Sequence, residues 1–275
     1  MEVIVYGSRG SIPFANAGRI YGGNTSCIVI KSFGQELVFD AGSGIYGYSN
    51  DLIKIFGPSF ASMDRIHILL SHLHLDHIVG LGVFSPIWRG AHVNIYTVCR
   101  AEGSGRSLRD QVLSIFSPPY WPRAMNELSN VKVLEIKEDQ SFQVGVFTIT
   151  PFLAHHTDRT VSFCVFDGEK RILHLLDSEY SSSTQIDNES HSKYYMNADL
   201  VVFDACYMPH DYPKYAGWGH STVEHGVRFA KRWGVKQMLF SHFAQQYSDG
   251  EIAGLARYFG GNNFMLSRDG LVFTI

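Results

Sequence analysis

The run His-Leu-His-Leu-Asp-His at positions 72–77 constrains this chain more than any other feature. It follows an apolar segment, Ile66–Leu70, that predicts a buried strand. Side chains alternate along an extended segment, so His72, His74 and Asp76 are expected on one face; a helix starting after Asp76 would bring His77 to a neighbouring position. Imidazole and carboxylate suit zinc, and also manganese or iron. The run predicts a two-metal site at a strand end; the alternative is a polar loop with chance histidines.

Length and composition limit the other possibilities. The 275 residues, 45% of them hydrophobic, allow a large core, and we expect one α/β domain over 1–275. A net charge of −3 argues against a broad nucleic-acid-binding surface. The four cysteines (Cys27, Cys99, Cys164, Cys206) form no C-x-x-C pair and predict buried thiols in a reducing compartment. We see no signal peptide and no apolar stretch long enough to span a bilayer, so the cytoplasm is the expected location.

Short apolar strands recur throughout the chain, with helical patterns between them. The predicted strands are Glu2–Tyr6, Cys27–Lys31, Glu36–Asp40, Ile66–Leu70, Val93–Thr97, Val131–Ile136, Val146–Thr150, Val161–Phe166, Arg171–Leu176, Leu200–Phe203, Gln237–Phe240 and Leu271–Thr274. The predicted helices are Gly105–Phe116, Thr222–Trp233 and Glu251–Phe259. Hairpin-type strands in both halves favour a mixed-sheet sandwich covered by helices over a Rossmann fold. The serine-rich segment Ser178–Tyr195 is predicted to be a solvated surface connection.

A two-metal site needs more ligands than the run supplies, and strand ends are where they are expected. Asp177 follows the apolar strand that ends at Leu176, a suitable place for a carboxylate bridging two metals. His242 follows Gln237–Phe240, and the adjacent His155 and His156 follow another apolar segment.

Several ordered motifs now resemble the ribonuclease Z-like branch of the metallo-β-lactamase fold, which includes tRNase Z and the bacterial and phage cyclic-nucleotide phosphodiesterases of the anti-Pycsar type. The motifs that carry the resemblance are Gly7-Ser8-Arg9-Gly10-Ser11-Ile12-Pro13, Gly22-Gly23-Asn24-Thr25-Ser26-Cys27, Phe39-Asp40-Ala41-Gly42-Ser43-Gly44, the run at 72–77, Leu176-Asp177-Ser178, Asp204-Ala205, Gly219-His220-Ser221-Thr222 with Glu224, and Ser241-His242. The resemblance covers nearly the whole chain. It implies an αββα sandwich of two mixed β-sheets flanked by helices.

The resemblance also implies the ligand set. The ligands implied for the first metal are His72, His74, His156 and Asp177, and those for the second are Asp76, His77, Asp177 and His242. His156 is preferred to His155 because the family's ligand histidine precedes an aromatic residue by seven positions, as His156 precedes Phe163. The residue left over would then be a histidine near the ligands or the substrate. Asp40 is implied to accept a hydrogen bond from a ligating imidazole.

The implied chemistry is phosphodiester hydrolysis. Zinc lowers the pKa of bound water to about 7, which provides a nucleophile at neutral pH. His220 resembles the family's proton donor to the departing oxygen, and Asp204 resembles the carboxylate that orients this histidine. Asp76 is expected to be both a metal ligand and a catalytic residue. The alternative for His220 is a helix-capping or surface histidine.

The substrate prediction depends on one short connection. In the branch that this chain resembles, tRNase Z carries an arm that grips tRNA. The arm lies between the strand after the third metal histidine and the bridging aspartate. In this chain the stretch of sequence between Phe163 and Asp177 is too short to contain an arm. The residues Asp167-Gly168-Glu169-Lys170 within it predict a hairpin. A small 3′,5′-cyclic nucleotide is therefore expected rather than a large nucleic acid. A tRNase Z-like endonuclease, another small-phosphodiester hydrolase, thioester or lactam hydrolysis and a non-catalytic binding protein are the alternatives.

Two expectations concern further contacts. Aromatic residues near the motifs are candidates for stacking on a base, although most are expected in the core or at a dimer contact: Phe14, Tyr21, Tyr46, Tyr48, Trp88, Trp121, Tyr207 and Trp218. The segment Ser117–Pro122 predicts a stiff aromatic loop, and relatives of this branch are commonly dimers, so a homodimer is expected.

Overall fold

Two seven-stranded β-sheets form the centre of the protein in a computed structural model that describes residues 1–15, 18–57, 65–98, 105–182 and 189–275. The strands of the first sheet are β1 (Glu2–Gly7), β2 (Cys27–Ser32), β3 (Gln35–Phe39), β4 (Ile66–Leu69), β5 (Val93–Thr97), β6 (Val131–Glu135) and β14 (Leu271–Thr274). Their spatial order is β14-β1-β2-β3-β4-β5-β6. The pairs from β14 to β3 are antiparallel, and those from β3 to β6 are parallel.

The second sheet has the same mixed character. Its strands are β7 (Phe142–Val144), β8 (Phe147–Leu153), β9 (Val161–Phe166), β10 (Arg171–Leu175), β11 (Leu200–Asp204), β12 (Gln237–Ser241) and β13 (Phe264–Leu266). Their order is β13-β12-β11-β10-β9-β8-β7, parallel from β13 to β10 and antiparallel from β10 to β7. All twelve predicted strands are present. The short strands β7 and β13 were not predicted.

Helices cover the outer faces of both sheets. The α-helices are α1 (Ile45–Phe56), α2 (Leu75–Ile78), α3 (Ser85–Trp88), α4 (Leu108–Leu113), α5 (Ser192–Tyr195), α6 (Val223–Trp233) and α7 (Asp249–Gly254). Short 3₁₀ segments lie at Val79–Val83, Met125–Glu127, Glu189–His191, Tyr212–Lys214 and Leu255–Tyr258. In the described part of the chain, no helix is long and apolar enough to cross a bilayer.

Three apolar clusters hold these layers together. One lies between the sheets and contains residues such as Val3, Phe39, Phe163 and Leu239. The other two pack the first sheet against α1, α3 and α4, and the second against α6. The architecture is the expected αββα sandwich, because each sheet buries one face against its partner and the other against helices.

Two helix predictions need correction, and one long helix was not predicted. Helix α1 was missed, although Ile45, Tyr48 and Leu52 recur at helical spacing and are buried. The predicted helix Gly105–Phe116 is only the six-residue α4, which begins at the Ser107 cap. The predicted helix Glu251–Phe259 starts two residues earlier at α7, because Ser248 and Glu251 form a capping box, and it continues as a 3₁₀ segment.

Two further predictions concern the serine-rich segment and the cysteines. Ser178, Glu179 and Tyr180 are buried, so the segment does not begin as a solvated connection; residues 183–188 lie outside the described part. Cys27, Cys164 and Cys206 are buried free thiols as predicted, and Cys99 lies outside the described residues.

Candidate dimetal site

Strand ends from both sheets meet at one rim of the sandwich, and the predicted site residues are there. These residues are Asp40 after β3, His72 after β4, His156 after β8, Asp177 after β10, Asp204 at the end of β11 and His242 after β12. Parallel strands put their carboxyl ends at the same edge of a sheet, and the two sheets bring two such edges together. Residues 170 positions apart therefore become neighbours.

One ligand group combines the metal-binding run with the second sheet. His72, His74, His156 and Asp177 each offer an atom within 4.8 Å of the others. His156 Nε2 lies 3.3 Å from His74 Nδ1 and 3.8 Å from Asp177 Oδ1. His72 Nε2 also lies 3.8 Å from Asp177 Oδ1. Three imidazoles and one carboxylate facing one point fit a tetrahedral divalent cation.

A second group lies directly beside the first. Asp76, His77 and His242 are within the same 4.8 Å limit. Asp177 Oδ2 lies 3.0 Å from His77 Nε2, and Asp177 Oδ1 lies 3.4 Å from His242 Nε2, so the Asp177 carboxylate stands between the two groups. Helix α2 begins at Leu75, not after Asp76 as predicted. Asp76 and His77 therefore both project from its first turn.

Asp40 and Ser71 orient two of the imidazoles from behind. His77 Nδ1 donates to Asp40 Oδ2 at 2.8 Å. His72 Nδ1 donates to Ser71 Oγ at 3.0 Å, and that hydroxyl donates in turn to Asp40 Oδ1. Holding both Nδ1 atoms as donors leaves the Nε2 lone pairs directed at the cluster, which is the form a metal requires. The role implied for Asp40 agrees with this geometry. Ser71 was missed, although it directly precedes the run.

The structure separates His156 from its neighbour His155. His156 Nδ1 donates to the Gly219 carbonyl at 2.9 Å, which directs Nε2 into the first ligand group. His155 instead lies edge-on to Tyr180, with ring centroids 6.0 Å apart. The preference for His156 therefore matches the placement of the two side chains.

The N-terminal loop closes the rim next to the second group. The Ser11 amide donates to Asp76 Oδ2 at 2.7 Å. A Cβ at Gly10 would lie 2.5 Å from His242 Nε2, so only glycine allows this approach. Thr25 and Ser26, considered above as part of the family's first loop, are buried; the Ser26 hydroxyl hydrogen-bonds to Asp40.

Unpartnered buried atoms test whether these residues fit metal ions. Within the described part of the chain, His72 Nε2, His77 Nε2 and Asp177 Oδ2 are buried and have no hydrogen-bond partner. His77 Nε2 and Asp177 Oδ2 are close to each other but lack hydrogen-bond geometry. Such groups are costly to bury unless something pairs with them. All three face the ligand groups, so divalent cations would satisfy them.

The electrostatics of the cluster favour cations as well. Burial lowers the pKa of His72 and of His156, which keeps these imidazoles neutral and ready to ligate. For His77 burial acts in the same direction, but the surrounding carboxylates of Asp177, Asp76 and Asp40 outweigh it and raise the pKa well above its ordinary value. Divalent cations would compensate the same carboxylates and displace the His77 proton.

His220 and Asp204 form a separate pair at the edge of the ligand groups. His220 Nδ1 donates to Asp204 Oδ2 at 2.8 Å. Although burial opposes the charged form, the attraction of Asp204 and the hydrogen bond to it raise the pKa of His220 to about 9. Asp204 lies near enough to Asp177 and His242 to be grouped with them as a ligand. We favour the orienting role because its two oxygens already accept four hydrogen bonds, from His220 Nδ1 and the amides of residues 177, 206 and 221.

Comparison with known proteins places this site in a family. Residues 36–243 match the model described as "Beta-lactamase superfamily domain", and this range contains every residue of the two ligand groups. The chain belongs to the beta-lactamase superfamily. Its rim has the histidines and aspartates of a metal-dependent hydrolase, and its two ligand groups are suited to two metal ions.

Three relatives illustrate the similarity of this superfamily member to known proteins. A protein named Ribonuclease Z from Bradyrhizobium diazoefficiens is 24% identical, over 97% of both chains. The structure of the metallo-beta-lactamase fold protein YhfI from Bacillus subtilis superposes with a TM-score of 0.71 at 22% identity, covering 99% of this chain and 98% of that one. The short form of human tRNase Z superposes with a TM-score of 0.67 at 20% identity, covering 100% and 99% of the two chains.

Proposed function

We propose that this protein is a dimetal phosphodiesterase that hydrolyses 3′,5′-cyclic nucleotides to linear nucleoside monophosphates. The proposed ligands are His72, His74, His156 and Asp177 for one metal, and Asp76, His77, Asp177 and His242 for the other. Zinc fits these donors, and so do manganese and iron. The observation that carries the choice of a small substrate is the short connection between β9 and β10.

That connection is a tight hairpin. Arg171 pairs with Phe166 in the antiparallel register, and the turn between them has the four residues 167–170. Asp167 closes it by accepting from the amides of Glu169 and Lys170. The turn leaves no room for an arm that grips a large RNA.

The alignment with the Bradyrhizobium relative supports the same choice. It spans 312 positions, more than the 275 residues of this chain, so the relative carries segments that this chain lacks. The loss of such segments favours a substrate small enough to be held within the rim itself. The net charge of −3 adds no attraction for a long polyanion.

The chain's own residues supply the proton transfer. Bound divalent metals would activate water and neutralise the phosphoryl group. His220, protonated on Nε2 and held at Nδ1 by Asp204, donates a proton to the departing sugar oxygen. In the metal-free protein, Asp204 raises the pKa of His220, so this pairing favours the protonated form that a general acid requires.

Aromatic rings extend from His220 to the surface and offer a place for the base. Tyr207 contacts the His220 ring at 5.6 Å, Tyr215 stacks on Tyr207 at 4.2 Å, and Trp218 meets Tyr215 at 5.5 Å. Trp218 is 58% exposed, unlike Tyr48, which is buried in the core. We therefore propose that the base stacks on Trp218.

The reaction is tested by incubating the metal-loaded protein with 3′,5′-cyclic AMP, GMP, CMP and UMP and separating the products by chromatography. Linear monophosphates are expected, and His220→Ala should reduce turnover by about 10²- to 10⁴-fold. Trp218→Ala should raise KM for cyclic nucleotides and leave bis(p-nitrophenyl) phosphate hydrolysis unchanged. Absence of turnover on all four nucleotides, with two metals bound per chain, would reject the proposal.

An RNA endonuclease of the ribonuclease Z type is the second candidate. The names of the curated relatives favour it, since several are called Ribonuclease Z. Cleavage of a tRNA precursor at a rate above that of any cyclic nucleotide would select this alternative.

A homodimer is the proposed assembly. Pro118, Pro119 and Tyr120 are exposed in the predicted aromatic loop, and Tyr120 is 80% exposed. Trp121 packs inward against Phe116, so it anchors the loop rather than extending it. Sedimentation of the wild type and of Tyr120→Ser tests the proposal, because the variant should shift towards the monomer.

A further inference from the structure

Glu179 is a buried carboxylate that the chemistry described above does not use. It follows the bridging Asp177 by two residues and is only 7% exposed. Its two oxygens accept hydrogen bonds from the Gly217 amide at 3.0 and 3.1 Å, from the Gly219 amide at 3.0 Å and from the Tyr212 hydroxyl. A carboxylate that accepts this many hydrogen bonds holds the parts of the chain that carry the donors in place.

The two amide donors belong to the segment Gly217–His220, which positions two imidazoles of the site. The Gly219 carbonyl accepts from His156 Nδ1, and the next residue is His220 itself. Gly217 and Gly219 have φ angles of +86° and +82°, a backbone form that glycine adopts freely. In this form the amides of both glycines converge on the Glu179 carboxylate.

The backbone around Glu179 ties the same segment to strand β8. The Glu179 amide donates to the His155 carbonyl at 2.8 Å. The Ser221 hydroxyl donates to the Ser178 carbonyl at 2.7 Å and accepts from the Tyr180 amide at 2.9 Å. Residues 178–180 therefore clamp the end of β8, which carries His156, to the loop that carries His220.

We propose that Glu179 is a positioning residue for both imidazoles. Its carboxylate holds Gly217 and Gly219 so that His156 Nε2 faces the first ligand group and His220 faces the departing oxygen. The proposal rests on the proposed function for the role of His220. Its effect on His156 does not depend on the substrate.

Glu179→Gln is the sharpest substitution, because it keeps the size of the side chain and removes one acceptor. In glutamine an NH₂ group replaces one of the two carboxylate oxygens. This donor would face a backbone N–H, which is also a donor, so at least one glycine amide would lose its hydrogen-bond acceptor. Glu36→Gln is the matched control. Glu36 also accepts from a tyrosine hydroxyl, that of Tyr48, but it lies on β3 at the end remote from the rim.

The kinetic test compares leaving groups. Bis(p-nitrophenyl) phosphate releases a stable anion and needs little help from an acid, whereas diphenyl phosphate and cyclic AMP need a proton donor. Because misplacing a general acid costs on the order of 10- to 100-fold, Glu179→Gln should lose that much on the two poor leaving groups and less than about threefold on the good one. His220→Ala should show the same pattern more strongly, and Glu36→Gln should show none.

A measurement on metal-free protein provides a readout independent of activity. Long-range ¹H–¹⁵N spectra report which ring nitrogen of each histidine is protonated. In the wild type, Nδ1 of His156 should carry the proton that binds the Gly219 carbonyl. Glu179→Gln should shift or broaden the His156 signal and leave that of His67, which is remote from the rim, unchanged.

The outcomes separate the two proposals. If the wild type cleaves the aryl esters and no cyclic nucleotide, the substrate proposal fails, while the two aryl esters still test Glu179. If Glu179→Gln loses activity equally on all substrates, its positioning role at His220 is refuted. If the variant leaves the His156 signal unchanged, its positioning role at His156 is refuted. If Glu179→Gln does not fold, Tyr212→Phe removes one donor and should show the same leaving-group pattern in weaker form.

Discussion

The pairing of His220 with Asp204 makes the stability of the metal-free protein depend on pH in a defined direction. Burial opposes the charged form, but Asp204, together with the smaller effects of Asp177 and Asp76, raises the pKa of His220 from 6.5 to about 9. Since tenfold in an equilibrium constant corresponds to about 1.4 kcal/mol, this rise is worth about 3 kcal/mol. The His220 side chain is only 13% exposed, so solvent screening reduces this value little.

The sign follows from the direction of the change in pKa. A histidine whose pKa is higher in the folded protein binds its proton more tightly there than in the unfolded chain. The stabilisation is therefore complete below pH 6.5 and is lost as the pH rises through about 9. The free energy of unfolding of the wild type should fall relative to that of His220→Asn by about 3 kcal/mol between pH 6 and pH 10.

The assay is urea unfolding of both proteins after metal removal, at several pH values over this range. The packing lost in His220→Asn does not vary with pH, and the other histidines titrate in both proteins, so the difference isolates His220. A difference that stays constant, or that grows as the pH rises, would refute the reasoning. After zinc is restored the pH dependence should become smaller, because nearby cations disfavour protonated His220.

Three further predictions concern the ligands and the loop beside them. His156→Ala should reduce the number of bound metals per chain, measured by mass spectrometry of the native protein, whereas His155→Ala should not. Gly219→Ala should reduce activity at least tenfold, because the added Cβ would lie 2.3 Å from His156 Nδ1. Gly270→Ala is the control, since Gly270 has a similar φ, has open space around it and lies outside the loop that Glu179 holds. Added zinc should increase the melting temperature of the wild type. Asp177→Asn should abolish both this increase and the activity, because a carboxylate between both ligand groups is lost.

The sequence by itself determined the order of the strands along the chain and which residues were candidates for the site. The run at 72–77 identified four candidate ligands. Residues so close in the sequence, at the end of a strand and in the helical turn that follows it, must also be close in space. The residues 167–170 determined a hairpin, because so short a connection between two strands allows little else. The residues with ligand chemistry at other strand ends were recognisable because strand ends of this sandwich meet at one rim.

Only the tertiary structure decided how distant residues share that rim. His155 and His156 are adjacent and chemically identical, and the Gly219 carbonyl, 63 residues away, directs one of them into the site. Glu179 appears in the sequence as one acid in a serine-rich segment. It becomes a buried acceptor only when the loop at Gly217–His220 folds over it. Hydrogen bonds of this kind join residues far apart in the chain, so no local pattern of residue types encodes them.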